Sequence, residues 1–216
     1  LSHEQRQTRI KRIKWTIKVL HNLSLERQTV QLVFFLTDWA ATDKATVGMR
    51  LEQLVVSSIY LVLKLQGDLN TSLQSFNDFV TNSLQISRKV LIKSELLLVD
   101  ILPADFALIM TFSEFLCSCF PPLKTRLEES YALTTRACEL CMGYYLFENR
   151  PFEFSGLAAA AFLEAGKQQG FSPGLTAADA IEFFRSKLTV SAESIAEYTD
   201  RFAEENRYVK EIFPEF

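Results

Sequence analysis

Five residues with charged or aromatic side chains stand in segments that otherwise have the composition of a helix core: Arg9, Trp15, Asp38, Lys64 and Glu95. Lys64 ends an apolar run that begins at Leu54, and Glu95 interrupts a second run, Val90 to Val99. Charged side chains are almost never fully buried unless they are paired. We therefore expect these residues to be buried and each charge to have a partner, either within the chain or on another protein.

Residue patterns that signal catalysis are missing from this sequence. It contains no Gly-rich phosphate loop, no metalloprotease helix motif and no nucleophile elbow. Its only histidines are His3 and His21, which leaves little material for a His-based triad or metal site. Acidic pairs such as Glu128-Glu129 are more typical of solvated helix faces. The sequence therefore favours a non-enzymatic protein with no catalytic residue, no metal and no cofactor.

The four cysteines lie in apolar helical contexts, at Cys117, Cys119, Cys138 and Cys141. A Cys-x-x-Cys spacing can indicate zinc or redox chemistry. Here Cys138-Glu139-Leu140-Cys141 lacks the Gly or Pro turn of a zinc knuckle. We therefore expect reduced core thiols, which are typical of a reducing, intracellular compartment.

Composition limits the class of protein further. The chain has 216 residues, is 48% hydrophobic, and contains seven Gly and six Pro, which is enough for a packed core and too few turn residues for an all-β fold. The formal net charge of −3 gives no reason to expect nucleic acid as a partner. No apolar run reaches the roughly 18 residues of a membrane span. No signal peptide is visible, and because the first residue is Leu1 we expect the natural chain to begin upstream.

Helical periodicity dominates the first half of the chain. A basic amphipathic helix is followed by a second helix with Ser24 at its N-cap, and a third runs from about Thr46 to Gln66. The middle of the third helix has no strongly polar side, so we expect other helices to surround it. Ser72 and Ser87 are the predicted N-caps of a fourth and a fifth helix, the latter ending before Pro103.

The second half repeats this pattern. Two apolar helices precede a third, Phe152 to Lys167, whose middle is again small or apolar all round. Thr176 and Ser191 are the predicted N-caps of the last two helices. Two five-helix units, each with an all-apolar third helix, constitute a long-period internal repeat. The predicted fold is therefore all-α.

The order and spacing of the five residues resemble the cyclin box. Trp15 lies six residues after Arg9, Asp38 stands in Leu-Thr-Asp-Trp at the end of the second helix, and Lys64 ends the central helix. Glu95 lies in Arg-Lys-Val-Leu-Ile-Lys-Ser-Glu-Leu-Leu-Leu. The resemblance covers nearly the whole chain but is carried by these motifs. It implies two tandem five-helix cyclin boxes, an N-terminal one over 1–102 and a C-terminal one over 103–216.

The resemblance also implies roles for individual residues. Arg9 and Asp38 would form an internal ion pair near Trp15. Lys64 and Glu95 would hold a cyclin-dependent protein kinase, although residue types alone also leave an internal Lys–Glu pair open. The complete predicted kinase-binding set is Lys64, Glu95, Leu65, Leu98 and Phe106.

Departures from the family pattern concern the first helix and the central-helix end. Cyclins usually follow the central Lys with an aromatic residue and two acids, whereas this chain has Leu65, Gln66 and Gly67. Where cell-cycle cyclins carry an apolar docking patch for substrate peptides, this chain is polar and basic. Lys11, Arg12 and Lys14 are therefore a possible docking surface for acidic or phosphorylated peptides, or a solvated face.

The expected function is that of a regulatory subunit which binds and activates a cyclin-dependent serine/threonine kinase, in the nucleus or the cytoplasm. A cyclin-fold adaptor without kinase activation, of the transcription-factor or pocket-protein type, is the alternative. An enzyme built on a helical bundle is a third reading, disfavoured by the missing chemistry.

Overall fold

Helices make up all the regular structure in the described part of the chain, which contains no strand. This computed structural model describes residues 3–21, 23, 25, 27–66, 76–102, 111–119, 127–147, 153–171 and 176–212. Over those ranges no helix has the length and apolar character needed to cross a bilayer. The all-α prediction is therefore confirmed, while the arrangement as two cyclin boxes remains a prediction.

Two compact units divide the chain, an N-terminal unit of Leu1–Ile109 and a C-terminal unit of Met110–Phe216. The boundary predicted after residue 102 adjoins residues 103–110, which lie outside the described residues.

The N-terminal unit contains four α-helices and two short helical turns among its described residues. Its elements are α1 (His3–His21), α2 (Arg27–Ala40), a 3-10 turn (Lys44–Thr46), α3 (Leu51–Gln66), a π-helical turn (Phe79–Ser83) and α4 (Arg88–Ile101). The predicted start of α3 at Thr46 is wrong. Thr46 ends the 3-10 turn with its hydroxyl donating to the Ala40 carbonyl at 2.6 Å, and Gly48, with φ of 91°, separates that turn from α3.

Helix α3 is the centre of the N-terminal unit. Every residue from Leu54 to Leu63 is buried, as the all-apolar pattern predicts. Helices α1, α2 and α4 all pack on it. A buried hydroxyl without a hydrogen-bond partner would destabilise the fold. The Ser58 hydroxyl avoids this cost because it donates to the Leu54 carbonyl at 2.9 Å.

Helix α4, which contains Glu95, has a defined N-terminal cap. The Ser87 side chain accepts from the backbone N–H of Val90, which confirms the predicted N-cap. The helix ends at Ile101, and Leu102 is already extended, as expected for a residue that precedes proline. The caps Ser24 and Ser72 lie outside the described residues.

The C-terminal unit is organised in the same way around α7. Its helices are α5 (Phe112–Cys119), α6 (Leu127–Phe147), α7 (Phe154–Gln169), α8 (Ala177–Leu188) and α9 (Ala192–Ile212). The stretch Gly156 to Leu163 of α7 is completely buried, and α5, α6, α8 and α9 pack against this helix. Each unit therefore contains one helix covered on all sides, as the sequence predicts.

Small residues on α7 permit close packing with α9. A Cβ at Gly156 would lie 2.6 Å from the Ser194 hydroxyl and 3.0 Å from the Tyr198 ring. The Tyr198 hydroxyl accepts the backbone N–H of Glu153 at 2.9 Å, which fixes the start of α7. The predicted caps of the last two helices are confirmed: Thr176 forms a capping box with Asp179, and Ser191 accepts from Ser194 N–H at 3.0 Å.

Candidate functional site

Helices α1 and α2 are joined by a carboxylate that binds two guanidinium groups. Asp38 Oδ2 accepts from Arg9 Nη2 at 2.6 Å and from Arg9 Nε at 2.9 Å, while its Oδ1 accepts from Arg12 Nη2 at 2.5 Å. The three side chains are only 12–16% exposed. The structure therefore brings together the predicted pair Arg9 and Asp38, with Trp15 half-buried on the same helix α1.

The charge of Asp38 depends on both arginines. Burial by itself raises the pKa of this carboxyl group, but the charges of Arg9 and Arg12 and their hydrogen bonds outweigh burial and lower the pKa below its ordinary value. Asp38 is therefore ionised in the folded protein at neutral pH, and the cluster is an internal link rather than an open binding site.

Arg12 does not lie on the predicted docking surface. The prediction placed it with Lys11 and Lys14, but its side chain is largely buried and bonded to Asp38, so it is not available to a docking peptide. Lys11 and Lys14 are exposed. The signal for Arg12 was its spacing: three residues after Arg9, it lies on the same side of the helix.

Helices α3 and α4 are joined by the second charged pair. Lys64 Nζ donates to Glu95 Oε1 at 2.5 Å. The Lys64 side chain is 45% exposed and that of Glu95 is 13% exposed. The expectation that both are buried is therefore wrong for Lys64, because the last turn of α3 emerges from the core and leaves its ammonium group at the surface.

An aromatic side chain lies beneath this pair. The ammonium group of Lys64 is 5.8 Å from the centroid of the Tyr60 ring, within the range of a cation–π contact. Tyr60 is buried and packs on Phe76 at 5.0 Å. Burial and the nearby charge of Glu95 raise the pKa of Tyr60, so its hydroxyl stays protonated. Lys64 thus rests on a rigid aromatic surface next to its carboxylate.

Large apolar side chains are exposed beside the Lys64–Glu95 pair. On α4 they are Ile92, Leu96 and Val99, which recur at the i, i+4, i+7 spacing of one helix face, and Leu65 directly follows Lys64. We call Lys64, Glu95, Leu65, Ile92, Leu96 and Val99 the α3–α4 surface. Periodicity does not predict the exposure of Ile92, Leu96 and Val99, because Val90 to Val99 has apolar residues on every side of the helix.

Leu98 does not belong to this surface. It was predicted to contact a kinase, but its side chain is 0% exposed and forms part of the core of the N-terminal unit, whereas Leu96, two residues earlier, is 59% exposed. Two residues of helix correspond to 200° of rotation, which accounts for the difference. Phe106, the other predicted contact residue, lies outside the described residues.

Two cysteines lie in the core of the C-terminal unit, away from any exposed surface. Cys138 and Cys141 are buried and are not joined in a disulfide. Burial, together with the neighbouring Cys138, raises the pKa of Cys141 well above its ordinary value, so its thiol is unreactive at neutral pH. The side chains of Cys117 and Cys119 are outside the described part of the molecule.

Known proteins provide no family assignment for this fold and site. A scan against protein-family models gives no match, and a search of curated proteins gives no significant match. Membership of the cyclin family therefore remains a prediction from the motif residues, and function has to be argued from the geometry of the α3–α4 surface.

Proposed function

We propose that this chain is a non-catalytic regulatory subunit that binds and activates a cyclin-dependent serine/threonine protein kinase in the nucleus or the cytoplasm. The observation that carries the proposal is the α3–α4 surface, where a Lys–Glu pair stands at the surface beside exposed apolar side chains. The resemblance of the motif residues to the cyclin box supplies the class of partner.

The Lys64–Glu95 pair has hydrogen-bonding capacity left for a partner. An ammonium group has three donors, and one of the Lys64 donors goes to Glu95. The other N–H donors of the half-exposed Lys64 ammonium group can donate to backbone carbonyls of a partner. Glu95 can accept from backbone N–H groups of that partner. Helix ends and the loops beside them present such unpaired groups. Charged pairs of this kind contribute orientation and specificity to an interface.

The exposed apolar residues provide the area that a stable complex requires. Leu96 and its neighbours on α4 form an exposed apolar stripe along one helix face, the kind of surface against which a partner helix packs. Contiguous exposed apolar side chains next to polar ones are typical of protein-interaction surfaces. A kinase helix packed here would be held in one place and orientation. In protein kinases the helix that carries the Glu of the catalytic Lys–Glu pair must be positioned in this way before phosphoryl transfer.

A cyclin-fold adaptor that binds a protein without activating a kinase is the alternative. It would use the same α3–α4 surface, since the exposed side chains favour a protein partner of either kind. The two proposals differ in the consequence of binding, which is activity in one case and attachment alone in the other.

Co-purification with a panel of cyclin-dependent kinases, followed by phosphorylation of a generic substrate, tests the proposal. We expect one or more kinases to bind and to gain activity. The double change Lys64→Ala, Glu95→Ala should reduce binding by about 30-fold or more, the size expected for interface residues worth roughly 2 kcal/mol. Lys187→Ala is the matched control, because Lys187 is an exposed lysine of the C-terminal unit, outside the α3–α4 surface, and should leave binding unchanged.

Three outcomes separate the readings. Binding with activation that the double variant loses supports a kinase regulator. Binding that the double variant loses, without activation, supports the adaptor. Binding that the double variant retains would show that the Lys64–Glu95 pair is a structural link only.

A further inference from the structure

An exposed stripe of lysines follows one side of α1 and is not used by the proposed kinase interface. Lys11, Lys14 and Lys18 are all exposed and lie at i, i+3 and i+7, so they fall within a narrow sector of the helix surface. The buried Arg12 is on another side, where it binds Asp38. We call these three residues the lysine stripe.

An exposed acidic stripe of the same form lies on α9. Glu193, Glu197 and Asp200 are exposed and lie at i, i+4 and i+7. Glu197 also accepts from Arg201 at 3.1 Å on its own helix, through one carboxylate oxygen. Tyr198 and Phe202 occupy the buried side of α9, so the acidic residues are turned away from the core of the C-terminal unit.

The two stripes match in charge and in spacing. At 1.5 Å of rise per residue, the steps from Lys18 to Lys14 to Lys11 are about 6 and about 4.5 Å, and the steps from Glu193 to Glu197 to Asp200 are also about 6 and about 4.5 Å. If the two helices lie antiparallel, the three lysines therefore come into register with the three acidic residues and form three pairs of opposite charge. The dipoles of two antiparallel helices also point in opposite directions, which is an electrostatically favourable arrangement.

We propose that the lysine stripe of one copy of this chain binds the acidic stripe on α9 of a second copy, so that the protein self-associates through a head-to-tail contact. Such a contact is heterologous, because it joins two different surfaces. Exposed ion pairs are individually weak and are screened by salt. The association is therefore weak, increases with protein concentration and is lost at high ionic strength. It does not depend on the proposed kinase binding.

Sedimentation equilibrium of the full chain over a range of protein concentrations tests this contact. At about 20 mM NaCl the weight-average mass should rise with concentration, and at about 0.5 M NaCl it should stay at the monomer value. Two charge-reversed variants are compared, one with Lys11, Lys14 and Lys18 changed to Glu and one with Glu193, Glu197 and Asp200 changed to Lys. Each alone should be monomeric at low salt.

An equimolar mixture of the two reversed variants provides the decisive measurement. Each copy of one variant then offers stripes complementary to those of the other, so the mixture should associate although neither component does, provided that circular dichroism shows both variants to be folded. The triple change Lys44→Glu, Lys89→Glu, Lys93→Glu, at exposed lysines outside the stripe, is the control for net charge and should associate like the wild type.

Four results would overturn the proposal, three of them from sedimentation. These three are a wild-type mass independent of concentration at low salt, equal loss of association in the net-charge control, or no association in the mixture. Binding of a short poly-Glu peptide to the lysine stripe by a chain that stays monomeric would also overturn it, in favour of an acidic partner other than this chain.

Discussion

The two charged clusters of the N-terminal unit use the same chemistry in opposite surroundings. At the α1–α2 junction two guanidinium groups enclose Asp38, and all three side chains are nearly buried. At the α3–α4 junction one ammonium group binds one carboxylate, and Lys64 stays half-exposed beside apolar side chains. In the first cluster the charges are paired internally and the donor without a hydrogen-bond partner among the described residues, Arg12 Nε, is buried, whereas in the second the remaining donors of Lys64 are at the surface, where a partner can reach them.

This difference predicts different consequences of mutation. A buried pair contributes little net stability by itself but is costly to break, because its partner is left charged in the interior. At the α3–α4 junction Lys64 is half-exposed but Glu95 is only 13% exposed, so breaking this pair should cost more than the roughly 1 kcal/mol of a fully exposed pair and less than breaking the α1–α2 cluster. Stability should therefore depend on Asp38, and binding should depend on Lys64 and Glu95.

Removal of Asp38 gives the largest expected effect. Asp38→Ala leaves Arg9 and Arg12 without their carboxylate and should lower the free energy of unfolding by about 3–5 kcal/mol. Lys64→Ala should lower it by less, about 1–2 kcal/mol, because the Glu95 carboxylate that loses its partner is nearly buried but lies next to the surface. Urea unfolding followed by circular dichroism measures both. Equal losses in the two variants would remove the distinction between the clusters.

Two leucines on α4 sharpen the comparison between core and surface. Leu98→Ala empties a position that is fully buried and should cost about 2–5 kcal/mol of stability. Leu96→Ala changes an exposed side chain and should leave the urea midpoint nearly unchanged while it weakens partner binding. Leu98→Ala with wild-type stability would contradict the buried position of this residue.

Acid should act on the α1–α2 cluster through Asp38. Because the folded-state pKa of Asp38 lies below its ordinary value of 3.8, ionised Asp38 stabilises the fold above that pH, and this contribution is lost as the pH falls through the folded pKa. The Asp38→Asn side chain is uncharged at every pH, so this variant has no such contribution to lose. The stability difference between wild type and Asp38→Asn should therefore shrink from about pH 5 towards about pH 2. A difference that stays constant over this range would show that the charge of Asp38 does not contribute.

The hydroxyl of Tyr60 has the smallest expected effect. It is buried and has no hydrogen-bond partner among the described residues, so its removal costs no hydrogen bond. Tyr60→Phe keeps the ring beneath Lys64 and should change stability by less than about 1 kcal/mol, towards higher stability if at all. A clear loss of stability in thermal unfolding would indicate that the hydroxyl has a partner in solution.

The sequence by itself determined the elements with a local cause. The central helices α3 and α7 were predictable because a helix without a polar side has to be covered by neighbours, and Leu54–Leu63 and Gly156–Leu163 are indeed buried. The caps Ser87, Thr176 and Ser191 were predictable because a short hydroxyl side chain satisfies the N–H groups that follow it.

Only the tertiary structure decided which side of each helix meets solvent. The basic pattern of α1 predicts a surface position for Arg12, whereas Asp38 of α2 binds it in the folded chain. Periodicity also cannot sort the three consecutive leucines, Leu96 to Leu98, into core and surface. Lys64 follows a buried run, yet its exposure depends on where the end of α3 leaves the core. Hydrogen bonds within a helix are local, but burial depends on neighbours that are distant in sequence.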